Sequence, residues 1–167
     1  MRAGVAAMAL LALAGSIAQG AGARDRIGIY KGWGAFRDAQ PARCYAIAQP
    51  GLGPQVTGGR NRGWVSVATW PGRGLRGSLH VRLSRAADRS AGVTLSVGER
   101  RFALVAGGVD AWAADAPSDR AIVLALRSGR SMSVEAVARG GQPFADTYAL
   151  AGAATAIDAA ALACAGR

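Results

Sequence analysis

The chain has 167 residues, 20 of them lysine or arginine against 10 aspartate or glutamate, with one histidine and two cysteines. That length suits one domain with a buried core. A lone histidine and the lack of Cys-x-x-Cys spacing argue against a zinc site. No P-loop, G-x-S-x-G elbow or S-x-x-K arrangement occurs.

The chain opens MRAGVAAMALLALAGSIAQGAGARD. Arg2 gives a positive start, Val5 to Ala18 an apolar run, and Ala21-Gly22-Ala23 a small-residue cleavage pattern before Arg24. The run is shorter than the roughly 20 residues a membrane span needs. Residues 1–23 are therefore expected to be an export signal and residues 24–167 one exported domain, with no transmembrane span after cleavage. Cys44 and Cys164 would then meet an oxidising compartment, where an even count of cysteines pairs. The Cys44–Cys164 bond would staple the C-terminal segment to an N-terminal strand, worth at most about 4–5 kcal/mol in the chain-entropy account. The alternative, a reactive cysteine, needs a histidine partner, and His80 is distant in sequence from both.

RIGIYKGWGAFRD (26–38) reads as one strand with a bend, and CYAIAQ (44–49) as a second strand after a DAQPAR turn. Residues 50–63, with two prolines and several glycines, read as a loop. WVSVATW (64–70) and GSLHVRLSR (77–85) follow. In the latter, period two turns Leu79, Val81 and Leu83 inward and Ser78, His80, Arg82 and Ser84 outward. GVTLSV and RFALVAG flank a GERR turn, a hairpin signal. A helix is expected over 119–127, capped by Ser118, ending before Gly129 and burying Ile122, Val123 and Leu126. A hairpin turning at Ser128-Gly129 is its rival. SMSVEAVAR (131–139) is a strand with Met132, Val134 and Ala136 inward, and DTYAL the last strand. AATAIDAAALAC reads as a C-terminal helix burying Ile157, Leu162 and Cys164. The succession predicts a mainly β fold, an antiparallel β-sandwich with one short helix and a C-terminal helix.

No catalytic residue, metal or cofactor is expected. His80 on a strand's outer face reads as surface, with an unrecognised base as its sharper alternative. Asp115 and Asp119 flank the Ser118 cap, where helix-start electrostatics accounts for them. The region Arg60 to Ser90 holds Arg60, Arg62, Arg73, Arg76, Arg82, Arg85 and Arg89 against Asp88 alone, with Trp64 and Trp70 among them. Arg73, Arg76, His80 and Arg82 form a candidate anion-binding surface for an anionic envelope component or an acidic protein face. An arginine-rich surface around two core tryptophans is the plainer reading. Export leaves no nucleic-acid partner.

WGAF (33–36), CYAIAQP (44–50), RFALVAGGVDAWA (101–113), SDRAIVLALRSGRSMSV (118–134), DTYALAG (146–152) and the terminal Cys164, in that order, resemble the invasion-associated locus B family of exported alphaproteobacterial proteins. The resemblance implies a β-sandwich with a C-terminal helix. It also implies a place in the periplasm, at the outer membrane or outside the cell, and, through the family's founders, a role in host-cell invasion. No catalytic residue set comes with it. Where the family's motif commonly reads DTYSLxGF, this chain has Ala149 and Ala153. The expected function is a non-enzymatic envelope-associated protein that binds another envelope or host-surface component. A structural envelope-stability protein is the alternative, and a hydrolase or isomerase around His80 a further one.

Overall fold

The computed structural model describes residues 24–51 and 63–166. The expected signal, residues 1–23, and Arg60 and Arg62 within the expected loop lie outside the described residues. The strands are β1 (Arg24–Tyr30), β2 (Trp33–Asp38), β3 (Arg43–Ala48), β4 (Trp64–Trp70) and β5 (Leu75–Arg82). They continue with β6 (Val93–Val97), β7 (Arg100–Gly107), β8 (Asp110–Ala113), β9 (Ser131–Val137) and β10 (Pro143–Ala149). Helix α1 (Ala116–Ser128) lies between β8 and β9, and α2 (Ala153–Ala163) closes the described chain.

The mainly β antiparallel fold with two helices forms as expected. Its strands share one continuous ladder, β1-β2-β3-β4-β5-β8-β7-β6-β9-β10, where a two-sheet sandwich would divide them. Two local departures follow from turns. Residues 26–38 are a hairpin and not one bent strand, because Tyr30 pairs with Trp33 around Lys31-Gly32, with Lys31 at φ 56°. DAWA (110–113) becomes a separate strand, β8, inserted between β5 and β7.

One apolar cluster fills the inner face. Leu79 and Val81 of β5 and the following Leu83 are buried there as the alternation requires, with Val65 and Val67 of β4 beside them. Met132, Val134 and Tyr148 enter the same cluster from β9 and β10. Helix α2 packs on β1 to β4, and α1 on β5, β7 and β8.

Helix α1 starts at Ala116, ahead of the expected 119. Asp115, not Ser118, is its cap: the Asp115 carboxylate accepts the Ser118 N–H at 2.8 Å. A capping aspartate followed by Pro117 in the first turn is a stronger start than a serine further in. Ile122 and Leu126 are fully buried, while Val123 is only half-buried. Gly129 is extended at φ −78°, so it serves by size and not by left-handed backbone. A Cβ there would lie 2.5 Å from Val97 and 2.8 Å from Leu150.

On α2 the buried stripe is Ala153, Ala156, Ile157 and Ala160, continued by Cys164. Leu162 falls off that stripe and is 74% exposed, which corrects the expectation that it is buried. Cys164 is bonded to Cys44 of β3 with Cα atoms 5.8 Å apart, inside the range such a bond requires. DTYALAG also has a packing role. The Asp146 carboxylate accepts the Ser84 N–H at 2.8 Å, Tyr148 fills the core, and Gly152 at φ 91° lies against the Tyr30 backbone where no Cβ would fit.

Candidate functional site

Opposed residues of an antiparallel ladder share a face. Ser66 pairs with His80 and His80 with Trp112, while Trp64 pairs with Arg82 and Arg82 with Asp110. Strands β4, β5 and β8 therefore bring Trp64, His80, Arg82, Asp110 and Trp112 together on the outer face, opposite the core. The His80 ring sits between two indoles, edge-on to Trp64 at 4.7 Å and stacked on Trp112 at 5.2 Å. Its Nε2 lies 2.9 Å from Asp110 Oδ1. Arg82 reaches both oxygens of the same carboxylate at 3.1 and 3.0 Å.

A second cluster lies on the same face of β1 to β4. Asp38 accepts from Arg24 Nε and Arg43 Nε, each at 2.9 Å. Burial alone would raise the Asp38 carboxyl, but these two guanidinium bonds outweigh it and hold it below the ordinary aspartate value. Arg43 lies over the Tyr45 ring at 4.5 Å and over Trp70 at 5.1 Å, and Arg73 covers Trp70 at 5.0 Å. Burial raises the Tyr45 hydroxyl, with Asp38 adding to it. The outer face is thus an alternation of arginine and aromatic rings in which carboxylates cancel much of the positive charge.

The four residues of the expected anion-binding surface do not share one patch. His80 and Arg82 meet through Asp110, which neutralises the arginine. Arg73 is engaged with Trp70. Arg76 points to the other side, into a cleft bounded by α1 and α2. The sequence reading missed Asp110 and Trp112 because GGVDAWAA is too rich in small residues for its alternation to stand out as a strand. Its signal was the single period Asp110-Ala111-Trp112-Ala113, with Ala111 fully buried between two outward groups.

No protein-family model and no curated protein matches the chain. Among solved structures, it is similar to the invasion associated protein B from Bartonella henselae, at 20% identity and a TM-score of 0.53. The match covers 78% of this chain and 92% of that one. The likeness is one of fold. It agrees with the resemblance to the invasion-associated locus B family carried by the ordered motifs.

The hydrolase reading needs a pocket joining His80 to a carboxylate. The carboxylate is present, since Asp110 is in contact. The two clefts described, one at α1 and α2 and one on β9 and β10, are both lined by other residues. Among the described residues there is no group of three or more histidine, cysteine, aspartate or glutamate side chains able to hold a metal ion. No helix among them is long and apolar enough to cross a membrane.

Proposed function

We propose that this is an exported, non-enzymatic envelope protein of the invasion-associated locus B type, and that it recognises another envelope or host-surface protein through the outer face of β4, β5, β8 and β7. The disulfide and the fold likeness support the extracytoplasmic setting. One observation carries the binding role: Trp112 is 40% exposed while stacked on His80, and Val105, opposite it in the ladder, is 56% exposed. Tryptophan and arginine, pre-positioned by stacking and ion pairing, are the residue types that dominate protein-binding surfaces. With Arg82 neutralised by Asp110, this face favours a protein partner over a bare polyanion.

The test is capture of a defined partner from envelope extracts by the disulfide-closed protein. Trp112→Ser with Val105→Ser should abolish capture and leave the melting temperature within a few degrees of the parent. Capture unchanged by the pair would overturn the assignment. The His80–Asp110 contact favours one second reading, a hydrolase. Turnover of a simple ester panel by wild type, lost in His80→Gln, would establish it instead.

A further inference from the structure

A cleft of about 380 Å³ opens on the opposite side of the sheet, between β4, β5 and the two helices. Its walls are apolar: Val67 comes from β4, Val123 and Leu124 from α1, and Ile157 from α2. Ala160 and Ala161 also line it, and their one-carbon side chains leave the space between the helices unfilled. Leu124 is 63% exposed at the mouth.

The rim is positive. Arg76, Arg120 and Arg127 line the opening. Arg127 is paired with Asp158 at 2.6 Å, and among the described residues it is the one arginine of the three with an ion-pair partner. The acids nearest in sequence to Arg120 are engaged by backbone. Asp119 accepts the Leu79 N–H at 2.7 Å, and Asp115 caps α1. Arg76 and Arg120 have no direct ion-pair contact among the described residues, although the Asp115 charge acts on Arg120 from a distance. An apolar trough with guanidinium groups at one lip matches a molecule with a hydrocarbon body and an anionic head. Its volume falls within the roughly 300–1,000 Å³ of small-molecule sites.

The geometry points to a binding site for a single-chain anionic amphiphile, the acyl chain lying between α1, α2 and the sheet and the head group held by Arg76 and Arg120. This site is independent of the outer-face reading and does not depend on it. The head could be the carboxylate of a free fatty acid or the phosphate of a one-chain phospholipid, and both present the same chemistry to the two arginines.

Calorimetric titration of the exported, disulfide-closed protein with dodecanoate, below its micellar concentration, should show one site per chain. Octanoate should bind more weakly, by about fourfold for each methylene removed from the apolar wall. Dodecanol should bind at least tenfold more weakly than dodecanoate. Arg76→Gln with Arg120→Gln should bring dodecanoate down to the level of dodecanol. A lysophosphatidylglycerol of the same chain length separates the two sources, because the tighter binder identifies the natural head group. Ala161→Trp, at an exposed position that faces the cleft, should abolish binding of both. Leu124→Asp is a second block at an exposed site should the tryptophan variant fail to fold. Absence of one-site binding by both anionic amphiphiles overturns the proposal, as does equal affinity for dodecanoate and dodecanol, or unaltered binding by a folded blocking variant.

Discussion

Cys44 in β3 and Cys164 at the end of α2 are bonded across 120 positions of sequence, and the bond fastens the last helix to the sheet it covers. Closing so long a loop removes much of the freedom of the unfolded chain. Protein recovered from the exported fraction without reductant should show the two cysteines linked by mass spectrometry, with no free thiol. Cys44→Ser with Cys164→Ser should lower the unfolding free energy in urea by about 2–5 kcal/mol. Free thiols in exported material would remove the staple from the account.

Asp38 and Asp119 should respond to acid in opposite senses. Asp38 has a lowered value in the folded state, so its contribution is fully present above the ordinary aspartate range and is lost as pH falls through the lowered value. Asp38→Asn should cost about 1–3 kcal/mol at neutral pH and flatten the acid limb of the stability profile. Asp119 is raised, chiefly by burial, with the Leu79 N–H opposing it. Its folded form holds a proton more tightly than the unfolded chain, so ionisation at neutral pH opposes folding and that opposition fades as pH falls. Asp119→Asn keeps an acceptor for Leu79 and should be no less stable than the parent. Chemical denaturation from pH 3 to 7 checks both.

Gly129→Ala should destabilise although the backbone there tolerates any residue. The added methyl meets Val97 and Leu150, both in the core, and overpacking of this kind costs about 1–3 kcal/mol. Gly92→Ala, with open space around it and no left-handed backbone, should be neutral or slightly stabilising. A thermal melt of the two variants side by side separates size from flexibility.

Features with a strong local signal were legible before the structure. The alternation of Leu79, Val81 and Leu83 placed His80 and Arg82 on the outer face, and Ile122 with Leu126 marked the buried side of α1. The cysteine pair followed from an expected export signal, on residues outside those described, and from an even count. What escaped depended on competition between nearby signals or on long-range partners. Asp115 outcompeted Ser118 as cap because both types cap well and the proline settles the start. Leu162 looked buried by composition, but the stripe through Ile157 and Cys164 leaves it outside. Asp110 pairs with groups roughly thirty positions away, and no local pattern links it to His80 or Arg82. The cleft arises where two helices meet a sheet, and only the packing reveals which arginines reach its lip.

The ladder ends in β1 and β10, the places where a strand from another copy would add. On β10 the Thr147 carbonyl already accepts the Gly51 N–H at 3.1 Å and the Ala149 carbonyl the Trp33 indole N–H at 2.9 Å. Both ends are blunted. β1 begins Arg24-Asp25-Arg26 and its register slips between Arg26 and Gly28, while β10 begins with Pro143, which has no N–H to give. Charge, a bulge and a proline are the devices by which sheet proteins avoid edge-to-edge aggregation. The same sheet can therefore keep its aromatic outer face exposed at high concentration without polymerising through its rims.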